Sequence, residues 1–313
     1  MGFAGAMAVA MAIDAMLGWP ERLFQLIGHP VTWLGRLVEM ADRFWNRDSD
    51  PSAFRRAAGV VAALLMIALP ALLAWMVQAQ LTTEWSRIVI AGILAWPLVA
   101  LRSLSDHVVA VARPLQSGDI DAARSAVSQI VGRDPQNLDE AGIARASIET
   151  LAENTSDGVI APLFWGAIFG LPGIVGYKVV NTLDSMIGHR TRRHEAFGWA
   201  AARIDDAANF IPARLTGFLF AVLAVRPASA LSCMVEDAHR HRSINAGWPE
   251  AAMAGALGVR LSGPRIYDGA LADEPWLNGG ARDPLAADIE RAVNLYRRAM
   301  WLMAAVLAIL AVV

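Results

Sequence analysis

The chain has 313 residues, of which 56% are hydrophobic and only 18% charged, too apolar for an ordinary soluble enzyme and indicative of a membrane protein. Its formal net charge of -2, with no basic block interleaved with aromatics, excludes an electrostatic case for nucleic-acid binding. The single cysteine, Cys233, excludes an internal disulfide and any multi-cysteine metal site, and is expected simply to pack.

Residues 3–17 are almost wholly apolar. No basic region precedes them and no small-residue cleavage site follows before Trp19-Pro20, so they read as a retained first membrane helix rather than a signal peptide. Asp14 lies inside this run, either facing a cavity or partner or sitting at a frayed interfacial end. The loop 18–56 carries six arginines (Arg22, Arg36, Arg43, Arg47, Arg55, Arg56), which assigns it to the cytoplasmic side and the N-terminus to the periplasm. Segment 57–77 is long enough to span a hydrocarbon core of about 30 Å and is the clearest span. The shorter 88–101, with Trp96-Pro97, returns across the membrane.

From 102 to 157 the chain turns polar with helical periodicity, punctuated by Gly118-Asp119 and Arg133-Asp134-Pro135, and reads as a cytoplasmic helical insert. The apolar stretch 159–180 is interrupted by Gly170-Leu171-Pro172-Gly173 and is expected to form two re-entrant half-helices. Such backbone is tolerated at membrane depth only when buried in protein or lining a cavity. Apolar segments 210–225 and 299–313 follow, with a polar loop 226–298 between them. The expected fold is therefore all-α: a polytopic integral membrane protein, 1–313 forming a single domain.

The densest chemical signal is Glu149-Thr150-Leu151-Ala152-Glu153-Asn154-Thr155-Ser156-Asp157-Gly158. On a continuous helix Glu149, Glu153 and Asp157 fall at i, i+4 and i+8 and stack on one face. Three adjacent carboxylates repel one another unless a cation sits among them, and hard Mg²⁺ with its preference for oxygen ligands is the natural candidate. The bland alternative is a solvated acidic face. A second cluster, Tyr177-Lys178-Val179-Val180-Asn181-Thr182-Leu183-Asp184-Ser185-Met186, places Lys178, Asn181 and Ser185 on one stripe with Asp184 beside it. An amphipathic helix entering the cytosol would look the same. Lys178 is the only lysine among 27 cationic side chains, so it either survives by chance or occupies a place that needs a compact ammonium.

A third cluster, Arg203-Ile204-Asp205-Asp206-Ala207-Ala208-Asn209 with Arg214 beyond it, pairs Asn209 with Asp205 or Asp206, or else is an Arg-Asp bridge at the membrane boundary. Three acid-plus-amide clusters bordering apolar segments suggest one metal-phosphate site. A fourth stretch, Asn245-Ala246-Gly247-Trp248-Pro249-Glu250, offers Trp248 for stacking on a planar ligand, although most tryptophans simply pack. His29, before Pro30, is either a ligand contact or structural.

Four ordered blocks carry a resemblance: E-T-x-A-E-N-x-x-D-G-x-x-A-P-L-F (149–164), Y-K-x-x-N-T-L-D-S-M-x-G (177–188), R-x-D-D-x-A-N-x-x-P-A-R (203–214) and N-A-G-W-P-E-A-A-M-A-G-A-L-G (245–258). With Asp14, Pro20, His29-Pro30, Gly35 and Ile130-Val131-Gly132-Arg133-Asp134, the chain resembles the CobD/CbiB proteins of cobalamin biosynthesis over nearly its whole length. It departs at Ile244, where that family often has Pro, and at Ser262, where Gly is usual, which puts loop shape in doubt.

The resemblance implies a bacterial inner-membrane enzyme with a cytoplasmic active site. Its expected reaction is ATP-dependent amide formation between a propionate of adenosylcobyric acid and the amine of (R)-1-aminopropan-2-ol phosphate, with ATP and Mg²⁺ as cofactors and other late cobalamin-pathway membrane enzymes as partners. It implies Lys178, Glu153, Asp184 and Asp205 as the catalytic groups. Asn154, Asn181, Arg203, Asn209, Arg214, Asn245, Trp248 and Glu250 would bind nucleotide or substrate, and Glu149, Glu153, Asp157, Asp184, Asp205 and Asp206 would hold metal. No Walker-type glycine loop is present, so ATP would be held in another way. Two rival readings are a Mg-dependent intramembrane prenyltransferase and a non-enzymatic AmpE-like membrane sensor or transporter.

Overall fold

The computed structural model describes residues 2–131, 136, 138–267 and 270–312. The Arg133-Asp134-Pro135 punctuation, the Gly132–Asp134 end of the 130–134 block and the last residue of segment 299–313 lie outside the described residues. The described fold is helical apart from two short antiparallel pairs, Leu261–Ser262 with Trp276–Leu277 and Arg265–Tyr267 with Ala270–Ala272. The sequence reading takes 1–313 as one domain; the backbone divides into two compact units. The first comprises Met1–Ala100, Ala161–Asn209 and Ala304–Val313, and the second Leu101–Ile160 and Phe210–Met303.

By length and composition, Ser52–Ala79, Glu84–Gln116 and Ala286–Val312 can each cross a membrane, and Gly2–Leu17 with Glu21–Trp45, bent by 108°, adds a fourth if the pair is one span. The protein is thus a multi-pass membrane protein with several long apolar helices. In Ser52–Ala79 only 11% of the most apolar window is buried, leaving Leu64, Leu69, Leu72, Leu73 and Trp75 exposed. A stripe of that kind would drive aggregation in water and is at home against lipid.

In the first unit Gly2–Leu17 packs on Glu84–Ala95 through small residues. A Cβ on Gly92 would lie 2.6 Å from Val9 Cγ1, so only glycine permits this approach. Within 18–56, where the sequence suggests a loop, Pro30–Trp45 is an amphipathic helix. Its interspersed charges (Arg36, Glu39, Asp42, Arg43) conceal the buried face around Val38. His29 caps it, Nδ1 accepting from the Val31 N–H at 3.2 Å, which is the structural role among the two open to it.

The 159–180 stretch breaks where the glycines and proline place the break. Ala161–Phe169 and Leu171–Leu183 flank Gly170, whose φ is +72°. The side chain of Gln78 accepts from the Leu171 N–H at 2.7 Å, and a Cβ on Gly173 would lie 2.8 Å from that of Phe169, so the two helices fold tightly back on each other.

The second unit contains the expected helical insert as Leu101–Gln116, Ile120–Val127 and Glu140–Thr155. Asp119 and Asp139 cap the last two, accepting from Ala122 N–H (3.0 Å) and Gly142 N–H (2.7 Å). The stretch 226–298 is not a loop. It holds helices Pro227–Asp237 and Gly247–Leu257, the short strands, and the first turns of Ala286–Val312. These helices are poor in bulky apolar residues because they pack closely: a Cβ on Gly255 would lie 2.8 Å from Ala230 Cα.

Candidate active site

The residues singled out by the sequence divide between the two units. In the first, the Leu171–Leu183 helix runs directly into a π-helical turn, Asp184–Gly188. Lys178 is buried at 8% exposure, an unusual place for an ammonium, and its Nζ donates to Asn181 Oδ1 at 3.5 Å. Asn181 and Ser185 stay on one stripe through the Ser185 hydroxyl, which donates to the Asn181 carbonyl at 2.8 Å. Burial raises the Asp184 carboxyl above its ordinary range; Asp206 raises it further, while His189 and Arg203 act the other way.

Asp205, Asp206 and Asn209 come from the Trp199–Ala208 helix and its C-cap. Arg203 pairs with Asp206 at 2.9 Å, the boundary bridge named as an alternative, whereas Asp205 is turned inward at 9% exposure. Asn209 is 1% exposed; its Oδ1 accepts from the Tyr177 hydroxyl at 2.8 Å, and its Nδ2 has no hydrogen-bond partner among the described residues. The sequence motif around Tyr177 carries no sign of a role for its hydroxyl; the fold makes it the clamp on Asn209. The first unit therefore joins two sequence clusters into one constellation of a buried ammonium, two mutually sensed carboxylates, a guanidinium and a buried carboxamide.

In the second unit the Glu140–Thr155 helix passes into a π-helical segment, Ser156–Ile160, which contains Asp157 and alters the rotation per residue there. Glu149 is buried at 5% exposure and accepts from the Ser262 N–H at 2.6 Å; Glu153 and Asn154 are exposed and Asp157 is half-buried. Asn154 Nδ2 donates back to the Thr150 carbonyl at 3.0 Å. Ser262 itself has φ +60°, followed by Gly263 at +86°, which accounts for the Gly usual at this place in the resembled family.

Arg214, Asn245 and Trp248 meet in the second unit. The Arg214 guanidinium lies 4.5 Å from the Trp248 ring and its NH1 donates to Asn245 Oδ1 at 3.4 Å. Glu250, 3% exposed, lies 3.7 Å from His241 Nε2. A lone histidine in a polar stretch carries no spacing signal, so His241 is legible only from this contact. Among the described residues no three His, Cys, Asp or Glu side chains converge on a ready-made metal site.

The described geometry still fits Mg²⁺, which keeps several waters and usually takes only one or two carboxylates plus substrate phosphates. A half-buried Asp184 destabilised by Asp206 is such a pair, and the orphaned Asn209 Nδ2 is a donor suited to a phosphate or carboxylate oxygen.

Comparison with known proteins matches residues 7–296 to the CobD/Cbib protein family. The cobalamin biosynthesis protein CobD of Rhodobacter capsulatus is 59% identical over 312 residues, covering 100% of this chain and 98% of the relative. Those of Brucella suis (46% identical, 95% and 93% covered) and Sinorhizobium fredii (43%, 97% and 95%) are similar along the same length. No solved structure matches the chain.

Proposed function

We propose, on the premise that this chain belongs to the CobD/CbiB family of cobalamin biosynthesis, that it is the ligase joining aminopropanol phosphate to adenosylcobyric acid at the expense of ATP. Family membership favours this over the prenyltransferase and AmpE-like readings. The observation that carries the chemistry is the first unit's constellation: buried Lys178 bonded to Asn181 one turn on, and Asp184, Asp206 and Arg203 in electrostatic contact with one another.

A carboxylate is a poor electrophile, so the propionate must first take the γ-phosphoryl of ATP, releasing ADP. The free amine then attacks the acyl carbon, and phosphate leaves with formation of the amide and loss of one proton. Lys178 and Arg203 are suited to neutralise the transferring phosphoryl oxygens. Asp184, Asp205 and Asp206 would hold Mg²⁺, which would supply charge neutralisation of the nucleotide phosphates. Glu153 and Asp157 remain candidate ligands on the second unit, as do Asn154, Arg214, Asn245, Trp248 and Glu250 for nucleotide and corrinoid. Glu149 is engaged by the Ser262 backbone and is reassigned to positioning. The active site is placed on the cytoplasmic side of the bacterial inner membrane, where ATP is available, and other late cobalamin-pathway membrane enzymes are its expected neighbours.

The test is direct. Protein purified in detergent and given adenosylcobyric acid, (R)-1-aminopropan-2-ol phosphate, ATP and Mg²⁺ should form the amide with stoichiometric ADP and phosphate. Folded protein that yields no product under these conditions refutes the assignment.

A further inference from the structure

In the first unit a cavity of about 180 Å³ opens between the Asp184–Gly188 turn and the Trp199–Ala208 helix, lined by Arg190, His194, Glu195, Trp199 and Arg203. We propose that this cavity binds a small phosphate monoester that also carries an amine, which, resting on the ligase reading above, is aminopropanol phosphate. Three observations point to that chemical class.

The first is charge. Two arginines, Arg190 and Arg203, line one opening, and planar guanidinium forks match the oxygens of a phosphate carrying a charge of about -1.5 to -2. Arg190 makes no ion pair among the described residues, whereas Arg203 bridges Asp206 at 2.9 Å and also acts on Asp184. Glu195, on the same rim, supplies the single carboxylate that an ammonium group needs.

The second is rigidity. The connector 189–193 is fixed by Arg193, whose Nε donates to Asp42 Oδ2 at 2.8 Å and whose carbonyl accepts from Asn46 Nδ2 at 3.1 Å and from Arg55. Asn46, which ties the Arg193 carbonyl, is buried, while the bonds of Arg193 to Asp42 and of Arg55 to that carbonyl lie at the surface. Gly198 lies directly against the Ile187 carbonyl, and the Arg56 guanidinium sits 3.8 Å over the Trp199 ring, holding that wall in place. Arg190 is thus carried on a preformed frame, which lowers the ordering cost of binding.

The third is size. Sites that enclose drug-sized ligands run to about 300–1,000 Å³, so this cavity is too small to enclose a nucleoside triphosphate and suits a phosphorylated amino alcohol of a few carbons. Through Arg203, which lines the cavity and bridges to Asp206, it adjoins the carboxylates of the constellation described above.

The experiment is equilibrium dialysis of labelled aminopropanol phosphate against detergent-purified protein without ATP, together with steady-state KM values for each substrate. Arg190→Ala should weaken aminopropanol phosphate binding about 10- to 100-fold, the loss expected for one charge-assisted phosphate contact, while the KM for ATP stays within about twofold. Arg190→Lys should recover part of the affinity, which guards against a folding artefact. Glu195→Gln should leave binding of 1,2-propanediol phosphate unchanged and remove the preference for the amine. Binding that Arg190→Ala abolishes, in a protein that forms no amide, would uphold the cavity and refute the ligase reading. Amide formation with unchanged KM for aminopropanol phosphate in both variants would overturn the cavity and leave the ligase standing, and so would a rise confined to the KM for ATP.

Discussion

Replacing Glu149 separates a positioning role from metal binding. Its carboxylate, 5% exposed, accepts from the N–H of Ser262, 1% exposed, at 2.6 Å. That N–H opens a turn in which Ser262 and Gly263 both have positive φ, a conformation a serine adopts only at a cost of about 1–2 kcal/mol. Glu149→Ala removes a hydrogen bond to a charged group, worth about 1.5–3 kcal/mol, and leaves a buried amide unsatisfied, so about 2–3 kcal/mol of local stability should be lost. Glu149→Gln retains an acceptor of the same length and should lose about 1 kcal/mol. The assay is hydrogen exchange in detergent micelles. In Glu149→Ala the amides of the Leu261–Ser262 and Trp276–Leu277 pair should lose protection by about 30- to 100-fold, an opening confined to that segment, and Glu149→Gln should lose less than tenfold and keep most of its activity. A metal ligand would behave in the opposite way: Glu149→Gln inactive, with full strand protection in both variants. That result refutes the positioning argument.

Three further outcomes are expected. Lys178→Arg should be nearly as damaging as Lys178→Ala, about 30- to 1000-fold in turnover, because a planar guanidinium cannot occupy a buried site shaped for an ammonium beside Asn181; wild-type kinetics in the arginine variant would make the lone lysine an accident of composition. Hydrogen bonds from Arg260 and then Arg145 hold the Asp283 carboxyl down at about 2, from an ordinary 3.8, so its contribution is complete above the unfolded pKa and is lost as pH falls through about 2. Thermal melts of wild type and Asp283→Asn should therefore converge between pH 4 and 2, and parallel curves would exclude this linkage. Burial, followed by Asp237, pushes the Cys233 thiol up to about 12, so maleimide at pH 8 should label the protein only after unfolding.

Hydropathy and punctuation were enough to locate what depends on neighbours along the chain. The 57–77 span, the helical insert, the break at Gly170 and the four motif blocks were legible because a membrane helix or a glycine-proline stop is specified by residues a few positions apart. The family followed from the same blocks, whose order and spacing are properties of the chain itself. Helices hidden in 18–56 and 226–298 escaped notice, since short amphipathic or small-residue helices become stable only when a partner covers them, and that partner lies far away in sequence. The carboxylate stack proposed for 149–157 shows the limit most clearly. Periodicity treats Glu149, Glu153 and Asp157 as equals, but the fold turns Glu149 toward Ser262, 113 residues away, and places Asp157 inside a π-helical segment. Likewise, Asp184, Arg203 and Asp206 share electrostatics only because two helices distant in the chain are packed together. A side chain's charge is written in its residue type, whereas the water it loses and the partner it gains depend on what the tertiary structure brings beside it.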